Sequence, residues 1–466
     1  MPVISESKDY VVFVGGLGLG SGCADPGGCT KEFWGEIEHP DKDLTDVMNS
    51  NGGNLSASGA AALPISCTVT NNGSGKLRIT YAAGFENCVP GLVAKVTFAA
   101  TYTNGRYEII DYDSSSFNWV DIDEPYSADT TCACAVGGAH VGIQTAMDET
   151  DASGTSPHNV YILDNVDYTF TAPANEIDLD SGGDLSAGTW KRVIATNNHG
   201  VPHTKYNHVN IDANSQTGAS CFVFGDADNI SLEGFNCTGS DNAQIKFSAT
   251  TSHYNFRLVE CKTGSTTYGV QCTTGNNHNI LILGGAYINS SGYPIYLDDN
   301  NARFVNVYSN GAHASYPNIR MGAGQVVVSG CIFKGNNQTG IQVSGAGALL
   351  VEDSTFYLSQ SCIQLSHASA RLMEYGNIFY VSTIANGRAI LRTLGTILYS
   401  NYSILWTTEG APTNSTRWGR PDSYVPYNAL EDAPLLISPG VYNDYRLSGP
   451  SPAIRTSMPT LGKLSY

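Results

Sequence analysis

Phe222-Val223-Phe224, Ile245-Lys246-Phe247, Val270-Gln271-Cys272, Ile295-Tyr296-Leu297, Ile319-Arg320-Met321, Ile341-Gln342-Val343, Ile363-Gln364-Leu365 and, less regularly, Ile390-Leu391-Arg392 are versions of one short pattern. Their first residues lie 23, 25, 25, 24, 22, 22 and 27 positions apart. The outer residues of each triplet are mostly apolar and the middle one is often polar or charged. That alternation describes a strand with one face buried and one face in water.

A second apolar segment follows each triplet by roughly 8–12 residues, a spacing that belongs to short strands joined by turns. Examples are Ile230-Ser231-Leu232, Phe256-Arg257-Leu258, Ile280-Leu281-Ile282, Phe304-Val305, Val326-Val327-Val328 and Leu349-Leu350-Val351. A shorter third segment often comes next, as in Tyr287-Ile288, Ile332-Phe333 and Ile378-Phe379. Gly, Asn, Ser and Thr fill the gaps and supply tight corners. A recurring unit of two or three short strands without a helix signal predicts a parallel solenoid, because one coil alone cannot bury its apolar face. An ordinary β-sandwich is the competing reading, and the sustained triplet repeat argues against it. The pattern resembles the right-handed parallel β-helix of the pectin-lyase-like superfamily. That resemblance implies one coil per repeat, each strand paired with its copies in the coils above and below.

Composition agrees with an extended all-β protein: 466 residues, 50 Gly, 26 Tyr and only 14% charged residues. The formal net charge is −18, and residues 1–180 carry all of it, with 25 Asp and Glu against 7 Lys and Arg. The remaining 286 residues hold 17 of each sign. A basic nucleic-acid-binding surface is therefore not expected, and an acidic docking face in the N-terminal third is. No stretch is long and apolar enough to predict a membrane span. The start, Met1-Pro2-Val3-Ile4-Ser5-Glu6-Ser7-Lys8-Asp9, lacks the basic-then-apolar order of a signal peptide, so none is expected.

Of the 12 Cys, Cys221, Cys237, Cys261, Cys272, Cys331 and Cys362 sit in or beside repeat strands and read as reduced core residues. Cys23 with Cys29, or Cys67 with Cys88, are candidate disulfides for an oxidising medium. Cys132-x-Cys134 lacks the partner spacing of a structural zinc site.

Along the chain, residues 1–60 read as a loop-rich N-terminal segment and docking arm, with one strand at Tyr10-Val11-Val12-Phe13-Val14. Residues 61–136 read as a small β-barrel-like module. Its strands are expected around Cys67–Thr70, Leu77–Thr80, Val93–Phe98, Asn104–Ile110 and Ser116–Ile122, with a hairpin at Asn71-Asn72-Gly73. This order resembles a β module of tailed-phage structural proteins. Residues 137–430 are assigned to the solenoid. Its start, Gly142-Ile143-Gln144-Thr145-Ala146-Met147-Asp148, resembles the N-terminal helical cap of pectin-lyase-like proteins. Residues 431–466 form a C-terminal capping segment: Ala433-Pro434-Leu435-Leu436, Asn443-Asp444-Tyr445-Arg446-Leu447 and Ser451-Pro452-Ala453-Ile454 resemble the closing segment of many β-helix proteins. Ala433 and Arg455 depart from the Asp residues usual there.

Chemistry is harder to find. A polygalacturonase-like site would need an Asn-x-Asp, an Asp-Asp, a Gly-His-Gly and an Arg-x-Lys on neighbouring coils. Only Asp298-Asp299 is present, and Asp298-Asp299-Asn300-Asn301 reads first as a turn. A pectate-lyase-like site would need several calcium carboxylates with a basic residue. The solenoid acids are Asp226, Asp228, Glu233, Asp241, Glu260, Asp298, Asp299, Glu352, Asp353 and Glu374. Glu233 and Glu260 follow the second strand of successive coils and are the best candidates for a carboxylate pair. His199, His203 and His208 are candidates for a metal cluster. None of these reaches an assignment: no catalytic, cofactor-binding or metal-binding residue is predicted, and no cofactor is expected. Tyr254, Tyr268, Tyr287, Tyr293, Tyr296, Tyr308 and Tyr316 are expected on turns and outward strand positions, where aromatic and amide groups suit sugar stacking or a subunit interface.

The resemblances imply a non-enzymatic structural protein of a tailed-phage virion, a spike, fibre or head-decoration subunit at the virion surface. Its implied partners are copies of itself as a homotrimer, other virion proteins through the acidic N-terminal part, and host surface polysaccharide. Two alternatives stay open: a polysaccharide lyase or glycoside hydrolase on a β-helix, and a bacterial surface adhesin.

Overall fold

The structure is a computed structural model. It describes residues 10–16, 28–34, 67–85, 93–136, 158–163, 168–179, 191–196, 203–225, 229–248, 255–264, 267–272, 278–407, 436–438 and 444–447, less 117, 207, 290, 299, 314, 336–338, 359, 382–387 and 402. The chain divides into two compact units, residues 1–212 with 227–235, and residues 213–226 with 236–466.

The first unit contains a closed six-stranded antiparallel barrel. Around it run Cys67–Asn71, Lys76–Thr80, Trp119–Pro125, Gly105–Tyr112, Val93–Phe98 and Thr130–Val136, and the last strand returns to pair with the first. Alternation decides the interior: Val69, Leu77, Ile79, Val96, Ile109, Val120 and Ile122 are buried together. At the Asn71–Lys76 hairpin, Asn71 Oδ1 accepts from the Gly73 amide at 2.8 Å and Asn72 Oδ1 accepts from Ser74 and Lys76 amides at 2.9 and 3.1 Å. Arg78 reaches across to Asp121 with two bonds of 2.7 and 2.9 Å and lies over the Trp119 ring. The five expected strands are present. The sixth, Thr130–Val136, was missed, because Cys132-Ala133-Cys134 is a run of small residues without a clear strand signature.

The strand expected at Tyr10–Val14 spans Tyr10–Gly16. It pairs antiparallel with Gly28–Trp34 and parallel with His158–Leu163, so this part of residues 1–60 belongs to a sheet. His158–Leu163, Lys191–Thr196 and Ile230–Glu233 continue that sheet in parallel.

The second unit is a parallel β-solenoid with three strands per coil. The triplets form one sheet. Ile245, Val270, Ile295, Ile319, Ile341, Ile363 and Ile390 stack in register on its inner side, each with at most 1% of its surface exposed. A second sheet carries Asn255–Val259, Asn279–Leu283, Asn301–Val305, Gln325–Ser329, Ala348–Glu352 and Arg371–Tyr375. The third carries Ala286–Asn289, Tyr308–Gly311, Ile332–Gly335, Thr355–Leu358 and Ile378–Val381. Its inner side holds a ladder in which Phe333 and Phe356 stack at 4.7 Å and Phe356 and Phe379 meet at a tilt, 5.2 Å apart.

The corner between the second and third sheets repeats one backbone device. Glu260, Gly284, Asn306, Gly330, Asp353 and Gly376 all have positive φ, one per coil. Side-chain-bearing residues alternate with glycine because each side chain covers the next coil's corner. A Cβ on Gly330 would lie 2.6 Å from Asn306 Oδ1, and one on Gly376 would lie 2.5 Å from Asp353 Oδ1. Beside this corner Cys331, Ser354, Asn377 and Ser403 form a buried column. The Cys331 amide donates to Ser354 Oγ, the Ser354 amide to Asn377 Oδ1 and the Asn377 amide to Ser403 Oγ, at 2.9–3.1 Å.

The expected helical cap at Gly142–Asp148 lies outside the described residues. In the C-terminal segment, Leu436–Ser438 pairs antiparallel with Asp444–Leu447. Among the described residues, no helix is long and apolar enough to cross a membrane.

Candidate functional site

The middle residues of the triplets stack into one outward column on the triplet sheet: Lys246, Gln271, Tyr296, Arg320, Gln342 and Gln364. Beside it, on the neighbouring outward row, Tyr268 is in register with Tyr293. These two rows bring three of the seven expected tyrosines into one patch, and Tyr316 joins it from the turn before Ile319–Met321.

Local sequence explains how the rings arrive there. Asn289 shapes the corner before Tyr293: its Oδ1 accepts from the Ser291 and Gly292 amides at 2.9 and 3.0 Å, and its Nδ2 donates to the Tyr293 carbonyl at 2.9 Å. Gly269 follows Tyr268 because the next coil passes close by, and a Cβ there would lie 2.5 Å from the Pro294 carbonyl oxygen. The Tyr268 and Tyr293 rings then stack 5.7 Å apart with planes 5° from parallel. Tyr296 meets both edge-on, at 5.4 Å and 5.1 Å. Tyr316 leans on Tyr293 at 4.5 Å, and His313 on Tyr316 at 4.4 Å.

Arg320 closes the patch. Its guanidinium carbon lies 5.0 Å from the Tyr296 ring centre and 5.9 Å from that of Tyr293. Nη1 donates to Tyr293 Oη and Nε to Ser344 Oγ, both at 3.3 Å. Burial works against its charge. The hydrogen bond to Tyr293 and the nearby Tyr296 and Asp298 outweigh burial and raise its pKa, so Arg320 is a cation at any ordinary pH. Burial, and secondarily Asp298, pushes the Tyr296 hydroxyl up, so it is a neutral hydrogen-bonding group there. The patch therefore offers aromatic surface, neutral hydroxyls, the amides of Gln271 and Gln342, and one fixed cation. Such a set can stack on an apolar ring face and hydrogen-bond its rim.

The remaining expected tyrosines fall elsewhere. Tyr287 is fully buried inside the solenoid. That corrects its expected outward position, because in Ala286-Tyr287-Ile288-Asn289 it is Ile288 that is partly exposed. Tyr308 lies on the third sheet, and Tyr254 is outside the described residues. A second outward stack was missed from sequence: Tyr357 and Tyr380, in register, lie 4.7 Å apart with planes 11° from parallel. The signal was in Phe356-Tyr357 and Phe379-Tyr380, where an inward Phe forces the following Tyr outward.

The candidate acids are held in structural bonds. Glu233 takes two bonds from Arg192, at 2.8 and 2.7 Å, and one from Ser231 at 2.7 Å. Glu260 occupies the left-handed corner and accepts from the Gly285 amide at 3.2 Å. Asp241 accepts from the Gly218 amide at 2.8 Å, and Glu352 accepts from the Tyr375 hydroxyl. Glu374 is wholly buried and accepts from Asn377 Nδ2 at 2.9 Å and Ser403 Oγ at 2.5 Å, out of a ligand's reach. Asp298 sits in the expected turn, its amide donating to the Cys272 carbonyl at 2.8 Å. Asp226, Asp228 and Asp299 lie outside the described residues.

His203 and His208 do come together, stacked at 3.9 Å, while His199 is outside the described residues. Among the described residues no group of three or more metal-ligating side chains converges. Cys221, Cys237, Cys261, Cys272, Cys331 and Cys362 are buried and joined in no disulfide among the described residues, as expected. Cys67 is buried and faces Cys132 across the barrel seam. Cys88 and Cys23 are outside the described residues.

No family model matches the chain, and no curated protein matches it. Among solved structures, it has a slight similarity to the catalytic domain of a GH87 alpha-1,3-glucanase in complex with tetrasaccharides. That match has 10% sequence identity, covers 74% of this chain and 84% of that one, and has a TM-score of 0.21, too low to carry an argument about fold or function.

Proposed function

We propose that this protein is a non-catalytic surface-contact protein whose solenoid presents the Tyr268, Tyr293, Tyr296, Tyr316 and Arg320 patch to carbohydrate. One observation carries the reading: four tyrosines drawn from successive coils converge on an outward face, and Arg320 lies against two of them. Rings in that arrangement supply flat apolar area at low entropic cost, and their hydroxyls meet a sugar's own. Engagement of Glu233 in the Arg192 pair weighs against using it as a catalytic acid, because a general acid must give up its proton to a substrate.

On the same reading the protein is a subunit of a tailed-phage particle. The module at residues 61–136, whose described strands form the barrel, supports it by its sequence resemblance to modules of such particles, and the acidic N-terminal third supports attachment through charge. The test is binding of the full-length protein to surface polysaccharide from candidate host cells, measured by calorimetry beside a reducing-sugar assay. Saturable binding without release of reducing ends is expected. Release of sugar would establish an enzyme, and binding that persists in Tyr293→Ala with Arg320→Ala would move the contact to another surface.

A further inference from the structure

The barrel closes where its first and last strands meet, and the pairing there is short. Among the described residues, Cys67, Thr68 and Val69 pair with Cys132, Thr131 and Thr130. Thr68 and Thr131 face solvent, so alternation turns Cys67 and Cys132 inward from directly opposite positions. Both are buried, with 0% and 5% of their surface exposed. Their thiols are in hydrogen-bond contact, and the Cys67 thiol also meets the Cys134 backbone.

Directly opposed residues on antiparallel strands have Cα atoms about 4.5–5.5 Å apart. A disulfide needs about 4.4–6.8 Å between Cα atoms and side chains aimed at each other. A pair in register across the seam, with its thiols in contact, is placed to meet both requirements.

We propose that Cys67 and Cys132 form a disulfide when the protein meets an oxidising medium, and that this bond locks the barrel shut at its seam. With a low-molecular-weight disulfide such as glutathione disulfide as oxidant, one cysteine thiolate attacks a sulfur of the oxidant and displaces a reduced thiol. The second thiolate then attacks the mixed disulfide, forms the Cys67–Cys132 bond and displaces the other thiol. Two protein thiols are oxidised, the oxidant's S–S bond is reduced to two thiols, and the two protons pass through water to the departing thiolates.

In the closed barrel the Cys132 thiol donates a hydrogen bond to Cys67, which lowers the Cys67 pKa and, ahead of burial, raises that of Cys132, so Cys67 is the attacking sulfur. Attack requires a thiolate that the oxidant can reach, and both sulfurs are buried in the closed seam, so the bond forms readily while the chain folds and slowly afterwards. Cys221 and Cys237 in the solenoid also touch. They come from segments that are not paired with each other, and they provide an internal comparison.

The test refolds the full-length protein in a glutathione and glutathione disulfide mixture or in a reductant, then denatures it with an alkylating agent and maps unreduced peptides by mass spectrometry. The expected result is a Cys67–Cys132 linked peptide, lighter by two hydrogens than its parts and lost on reduction. In wild type the oxidised form should also unfold at a higher temperature than the reduced form. Cys132→Ala should abolish that difference and Cys134→Ala should keep it. Full alkylation of Cys67 and Cys132 in the oxidised sample, or linkage of Cys67 to Cys134 or Cys88, would overturn the proposal. If Cys132→Ala fails to fold, the wild-type peptide map decides alone.

Discussion

Tyr268 and Tyr293 stand one coil apart, 25 positions along the chain, and their rings stack 5.7 Å apart. The parallel pairing of Tyr268–Cys272 with Tyr293–Leu297 aligns them, and Tyr296 and Arg320 then complete the patch. Stability and recognition separate at this point, because these side chains point away from the core.

Removing Tyr293 should therefore weaken glycan binding far more than folding. An aromatic pair contributes roughly 0.5–1.5 kcal/mol and an exposed cation–π contact about 0.5–1 kcal/mol. Tyr293→Ala should lower the melting temperature by a few degrees at most and reduce polysaccharide affinity at least tenfold by calorimetry. Tyr357→Ala should leave that affinity unchanged if the first patch is the one used.

The corner glycines should differ sharply from hairpin glycines. Gly330→Ala meets Asn306 Oδ1 at 2.6 Å as well as a left-handed backbone, whereas Gly73→Ala in the barrel hairpin meets nothing within 4 Å. Gly73→Ala should cost about 1–2 kcal/mol from the backbone alone. Gly330→Ala should cost more, and Asn306→Gly in the same chain should recover part of the excess. Denaturant unfolding of the three variants decides it, and equal costs at Gly73 and Gly330 would contradict the stacked-corner account.

Inner and outer residues of one triplet should respond in opposite ways. Ile341 and Ile363 are fully buried, while Gln342 and Gln364 are partly exposed between them. Ile341→Asp should lose several kcal/mol, of the order of 4 or more, because the charge has no partner in the solenoid interior. Gln342→Ala should change stability by no more than about 0.5 kcal/mol. Soluble yield and thermal unfolding give the comparison directly.

Alkaline pH should loosen the barrel. Tyr107 is buried, its hydroxyl donates to the Thr103 carbonyl, and burial pushes its pKa up to about 12 from an ordinary value of 10.0. Folding thus favours the protonated phenol. Its contribution is fully present below about pH 10 and is lost as pH rises toward about 12. Unfolding followed between those values should be steeper for wild type than for Tyr107→Phe, which has no proton to lose. Identical slopes would show that another group governs the alkaline limb.

Attachment to the particle should be salt-sensitive if the acidic N-terminal third makes it. Binding of the full-length protein to particles lacking it should weaken several-fold between low and moderate ionic strength. Asp111→Asn with Glu124→Gln in the barrel should reduce that sensitivity. Salt-independent attachment would place the docking contact elsewhere.

Much of this architecture was written into the chain locally. Ile341-Gln342-Val343 and its relatives specify which side of a strand is wet, since a strand's side chains alternate with a period of two. Recurrence of the triplets then forces coils to stack, because one coil cannot bury its own apolar edge. Tertiary structure alone decided which residues became neighbours. Corner lengths that vary from coil to coil set the alignment, so Tyr293 came to lie on Tyr268 while Tyr287, only six positions earlier, turned inward. Glu233 reads in sequence as half of a carboxylate pair with Glu260 and is instead the partner of Arg192, 41 residues away. Cys67 met Cys132 because closing a barrel brings together its two most distant strands. Those contacts depend on register between segments far apart in the chain, and no local pattern of residue types encodes it.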